Sequence, residues 1–96
     1  MNAYLIATIN INDPAEYKLY IDGFYDIFSK YDAEILVVEE EPEILEGTWP
    51  FTRTVVIRFK DKTEAKRWYE SDEYQKHAQH RFKAASSNVI LAEGRT

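Results

Sequence analysis

Ninety-six residues set the scale of one domain with one core, and a content of 45% hydrophobic and 30% charged residues is that of a folding chain, far from the disordered regime. The absence of cysteine excludes disulfides, thiolate metal sites and a cysteine nucleophile. Twelve basic residues against 17 acidic ones give a net charge of -5, which opposes non-specific attraction to nucleic-acid phosphates and anionic membranes.

Tyr4 to Ile11 is rich in β-branched and aromatic residues and reads as a first strand. Asp13-Pro14-Ala15-Glu16 then carries an N-cap, a proline at the first helical position and a glutamate able to reach back to the cap's N–H. From there Tyr17, Tyr20, Ile21, Phe24, Ile27, Phe28 and Tyr31 recur at helical spacing and predict one apolar stripe, with Gly23 weakening the middle. Ile35 to Val38 is a short second strand. It is also the longest aliphatic run, far below the ~20 apolar residues of a membrane span. The stretch from Glu39 to Thr52, with two prolines and Gly47, is expected to form a strand extension and a bend. Its glutamates, Glu39, Glu40, Glu41 and Glu43, blunt a sheet edge more simply than they bind calcium.

Arg53 to Phe59 is a third strand. Asp61-Lys62-Thr63-Glu64 repeats the capping spacing and opens a helix that buries Ala65, Trp68 and Tyr69. Ser71-Asp72 interrupts it and caps a further helix whose stripe is Tyr74, Ala78, Phe82 and Ala85. Asn88 to Glu93 is the last strand. The order strand, helix, strand, strand, helix, strand over residues 1–96 is the ferredoxin-like βαββαβ plan of the α+β class, a four-stranded antiparallel sheet with its helices on one face. With no basic, apolar leader at Met1-Asn2-Ala3-Tyr4, a cytoplasmic location is expected.

Alternation along the strands places apolar residues on both faces of that sheet. Leu5, Ala7, Ile9 and Ile11 oppose Tyr4, Ile6 and Thr8; Ile35 and Val37 oppose Leu36 and Val38; Val55, Ile57 and Phe59 oppose Thr54, Val56 and Arg58. Helices on one side leave the other bare, and a bare apolar face of that size is rare on a monomer. A homodimer closed sheet against sheet is the expected solution.

Ile11-Asn12-Asp13-Pro14 with Tyr17 and Tyr20, Leu45-Glu46-Gly47 with Trp49, Val55-Val56-Ile57-Arg58-Phe59, Trp68-Tyr69-Glu70-Ser71 with Glu73-Tyr74-Gln75, Arg81, and Ala92-Glu93-Gly94 together resemble the family known as domain of unknown function 1330. The resemblance implies a dimeric α+β barrel, a superfamily that includes cofactor-independent monooxygenases and purely binding members. It departs from the family pattern at Asp32-Ala33-Glu34 and Val38-Glu39-Glu40, which argues against anion binding at that edge.

Glu46, Trp49 and Arg53 cluster around the bend before the third strand. Arg53 is suited to fix a carboxylate and Trp49 to stack on an apolar ligand, although a loop pinned by its own tryptophan and an ion pair reads equally well. His77 is the candidate general base or acid, because only histidine titrates near neutrality unperturbed, with Arg81 one helical turn on and Tyr74 on the adjoining face; a plain helix histidine is the competing reading. Tyr20 joins them as a candidate ligand contact on the helix side, although Tyr17 and Tyr20 read more simply as core. His77 and His80 lack a third ligand, so no metal is expected. No cofactor motif and no RNA-binding signature is present. The resulting expectation is a small-molecule-binding protein, a cofactor-independent enzyme on a small organic metabolite in its catalytic version, with a non-catalytic binding or dimerisation module as the alternative.

Overall fold

A computed structural model describes residues 1–95. Along the chain run β1 (Ala3–Ile11), α1 (Pro14–Phe28), β2 (Ala33–Glu39), β3 (Arg53–Phe59), α2 (Lys62–Tyr69), α3 (Asp72–His77), α4 (Gln79–Ala84) and β4 (Ala85–Glu93). The strands form one antiparallel sheet in the order β2-β3-β1-β4, the ferredoxin-like arrangement expected of the sequence.

The capping signals work, but each glutamate does something other than close a box. Asp13 accepts from Glu16 N and Asp61 accepts from Glu64 N. The Asp13 N–H is already donated to Ala84 O, so Glu16 turns instead to His80 Nδ1 at 2.5 Å, tying α1 to α4. Glu64 accepts from Asp32 N at 2.8 Å and from Arg67, pinning the start of β2 to α2. Hydrogen bonds to a carboxylate favour its charged form, so the Arg67 and Asp32 bonds lower the Glu64 pKa against the opposing effect of burial.

One sheet face carries the core. Ala3, Leu5, Ala7 and Ile9 of β1 are buried beside Ile57 and Phe59 of β3, and aromatic rings of the helices close over them. Trp68, Tyr74 and Phe59 are fully buried, with the Trp68 ring tilted against Tyr74 at 4.1 Å and against Phe59 at 5.4 Å between centroids. Three expectations need correction. A β-bulge at Leu36 pairs Ile35 with Ile57 and Val38 with Val55 on the helix side while turning Val37 to the opposite face, so the strict alternation of Ile35 with Val37 fails. The helix after Ser71 breaks at Ala78, which exposes Phe82, hands Ala85 to β4 and buries Arg81 and Ala84 in their place. Beyond β2, residues 40–52 form no strand extension; the segment is irregular, with Gly47 at φ +78° supplying the left-handed turn.

The opposite sheet face has no helix on it. Tyr4, Ile6, Thr8, Thr54 and Val56 are only half-buried there, and Val37 and Ile90 are exposed. The chain is a slab of 32 × 31 × 16 Å, thick enough for one helical layer over one sheet. No helix among the described residues is long and apolar enough to cross a membrane.

Candidate functional site

The aromatic stripe of α1 holds the helix away from the sheet. Tyr17, Tyr20 and Phe24 succeed one another along it, centroid to centroid at 5.5 and 5.7 Å, and α1 packs closely on α4 and α3 while standing off the strands. The space left between helix and sheet is a cavity of about 260 Å³. For scale, a pocket of ~150 Å³ lined by aliphatic residues holds benzene.

Its walls are mainly apolar: Leu5, Ala7 and Ile9 from β1, Val55 and Ile57 from β3, Phe24 and Trp68 from the helices. Its rim is apolar too, because β2 lies outside the helical cover, and Ile21, Tyr25, Ile35 and Val38 stand there 39 to 66% exposed. Against these walls stand Tyr17, Tyr20, Tyr69 and Tyr74 with Arg53 and Arg81. Tyr20 and Tyr74 share a hydrogen bond of 2.7 Å between their hydroxyls, and Arg81 Nη2 donates to Tyr74 Oη at 3.4 Å. The Arg81 guanidinium lies 5.7 Å over the Tyr20 ring and that of Arg53 lies 5.5 Å over the Tyr17 ring.

The electrostatics are one-sided. Arg81 is only 6% exposed, yet none of the ion pairs among the described residues includes it. Burial works against its cation, but the Tyr74 and Tyr20 hydroxyls outweigh that and the pKa rises, so the group stays charged. Arg53 reaches only the exposed Glu40, at 3.6 Å, and its buried Nε has no partner. The buried Trp68 Nε1 is likewise unpartnered. Burial pushes the Tyr20 hydroxyl well above its ordinary pKa, with the Tyr74 hydroxyl adding to the effect, and burial also raises Tyr17, opposed by Arg53 and Arg81. Both phenols therefore stay neutral donors. The cavity offers cations and hydrogen-bond donors, and no Asp, Glu or His lines it among the described residues.

Tyr20, Arg53, Tyr74 and Arg81, read from the sequence as ligand contacts, all line this cavity. His77 does not. Its ring stacks on Tyr20 at 5.4 Å and its Nε2–H donates to the Tyr20 carbonyl at 2.7 Å, which makes it the clamp between α3 and α1. The role of general base drawn for it is not one this cavity can use, because the ring is outside its lining. Trp49 and Glu46 also lie away from the cavity. Trp49 Nε1 donates to Thr54 Oγ1 on the helix-free face and meets Phe51 edge-on, while Glu46 is exposed in the loop. Tyr17 and Trp68 belong to the cavity although they read as core. The available signal was tyrosine at consecutive inward positions of α1, where a purely structural stripe would use phenylalanine or leucine.

The profile of the family described as "Domain of unknown function (DUF1330)" matches residues 2–95. No curated protein matches the chain. Among solved structures, the protein of unknown function RPA0582 from Rhodopseudomonas palustris aligns at TM-score 0.76 with 12% identity, over 99% of this chain and 83% of that one. SnoaB, a cofactor-independent oxygenase from Streptomyces nogalater, aligns at 0.69 with 14% identity over 99% and 94%. A dimeric ferredoxin-like protein of unknown function from Jannaschia sp. CCS1 aligns at 0.74 with 8% identity over 98% and 100%. At these identities the likeness concerns the fold.

Proposed function

The chain belongs to the family described as "Domain of unknown function (DUF1330)", and from that premise we propose that it binds a small organic acid between α1 and the sheet, its negative charge held by Arg81 and Arg53. The observation that carries this reading is the Arg81 cation, buried in an apolar cavity with no carboxylate opposite it among the described residues. A buried charge without a counter-ion costs several kcal/mol, and a ligand that supplies the anion recovers that cost on binding. The unpartnered Arg53 Nε adds a second donor for the same anion.

A catalytic version rests on the same groups. Two guanidiniums and the Tyr20–Tyr74 hydroxyl pair stabilise an enolate or phenolate as readily as a carboxylate, at the buried end of a cavity with mainly apolar walls. With no side-chain base in the cavity, such a substrate must be acidic enough to enter as its anion. The fold likeness to a cofactor-independent oxygenase is consistent with that chemistry.

The working form in this proposal is a homodimer joined through the helix-free sheet face. A face of 32 × 31 Å exceeds the ~800 Å² per partner that a standard interface needs, and Ile6, Val37, Val56 and Ile90 supply its apolar centre.

Thermal shift against a panel of small carboxylic acids and their uncharged amides tests the binding reading. Saturating acid at about 100 times its Kd adds about 2.7 kcal/mol to the folded state. Arg81→Met is expected to abolish the acid-specific shift without lowering the melting temperature of the unliganded protein, since removing a buried uncompensated charge is neutral or stabilising. Amides that bind as tightly as acids, or an Arg81→Met protein that keeps its preference for acids, would refute it.

A further inference from the structure

The cavity is polarised along its length. Register places Arg53, Val55 and Ile57 on the same side of β3, and all three line the cavity, so it spans about 13 Å of strand at ~3.3 Å per residue. Both cations gather at one end: the Arg53 guanidinium lies over the Tyr17 ring and that of Arg81 over the neighbouring Tyr20 ring, and the Tyr17 hydroxyl feels both charges. The other end, around Leu5, Ile57 and Ile35, carries no charged side chain among the described residues, and along the β2 side Ile21, Tyr25, Ile35 and Val38 form a rim open to solvent. Such a slot takes a molecule with one charged end and an uncharged body.

Resting on the organic-acid reading above, we infer that the ligand class is unbranched amphiphilic monocarboxylates, bound head-inward with the carboxylate between Arg53 and Arg81 and the chain running along β3 toward the rim at Ile35. Size follows from volume. At ~30 Å³ for each water-sized group, a cavity of 260 Å³ holds about nine heavy groups of the ligand, the length of a medium-chain acid. Longer chains emerge over the exposed apolar rim rather than meeting a wall, so they are tolerated without further gain.

The test is calorimetric titration of the protein with straight-chain carboxylates from butanoate to dodecanoate, with benzoate, a tertiary-branched acid and octanol as controls. Affinity is expected to rise about three- to fourfold for each added methylene up to about octanoate or nonanoate, and then to flatten. Octanol should bind at least tenfold more weakly than octanoate. Ile35→Trp, at a rim position 39% exposed and paired with Ile57 at the uncharged end, is expected to weaken the longer acids and leave butanoate unchanged. If benzoate and the branched acid bind as well as octanoate and no rise with chain length is seen, this inference fails while the organic-acid reading stands. If no acid binds, or octanol binds as tightly as octanoate, both fail.

Discussion

Replacing Gly23 with alanine places a Cβ 2.3 Å from His77 Cε1, 2.9 Å from Nε2 and 3.1 Å from Nδ1. Ordinary carbon contacts lie near 3.5–4.0 Å, so the imidazole has to retreat by about 1 Å or more. Retreat breaks its 2.7 Å bond to the Tyr20 carbonyl, worth about 1 kcal/mol net, and disturbs its stack on the Tyr20 ring, worth about another 1 kcal/mol. Residual overpacking adds about 1 kcal/mol, while alanine in a helix interior recovers about 1 kcal/mol relative to glycine. The sum is a destabilisation of about 2 kcal/mol. In a His77→Ala background the obstacle is gone, and Gly23→Ala is expected to stabilise by about 0.5–1 kcal/mol through helix propensity alone. Urea unfolding followed by tryptophan fluorescence, at one fixed protein concentration because a dimer is proposed, measures all four corners of the cycle. If Gly23→Ala stabilises the protein in both backgrounds, His77 is not the clamp that fixes α1 against α3.

The Tyr20 hydroxyl provides a pH signature. Its pKa in the folded state lies above the unfolded value of about 10, so its contribution is fully present below pH 10 and is lost as pH rises through the folded-state pKa. Stability should therefore fall by up to about 1.4 kcal/mol per pH unit for this group above pH 10, and Tyr20→Phe should flatten that limb in urea titrations; an unchanged alkaline slope would show that Tyr20 ionises freely in the fold. On the helix-free face, Val56→Asp is expected to yield monomers by sedimentation velocity while retaining native circular dichroism, because the residue points away from the core and pairs with Ile6 and Val37 at the centre of that face. A Val56→Asp protein that remains dimeric would place the interface elsewhere.

Much of the site was visible one residue at a time. Tyr20, Arg53, Tyr74 and Arg81 stood out because two arginines and two tyrosines at core-facing or loop-edge positions are chemically conspicuous. That they share one cavity depends on contacts 54 residues apart, such as the Tyr20–Tyr74 bond, and on the break at Ala78 that turns Arg81 inward. His77 misled for the converse reason. Its titratable ring looked available until the close approach of α1 at Gly23 left it facing a backbone carbonyl. Trp49 looked like a ligand platform, but a hydrogen bond to Thr54 carries it to the other side of the sheet.

Local chemistry alone determined the element order, the Asp13, Asp61 and Ser71 caps and the two-sided apolar sheet, because caps act within three residues and strand alternation has a period of two. Only the tertiary structure decided that α1 stands off the sheet, that a bulge at Leu36 turns Val38 to the cavity rim, and that Arg81 is buried without a carboxylate partner among the described residues. Each of these is set by how large aromatic rings from distant segments share one volume, a property that no short window of sequence contains.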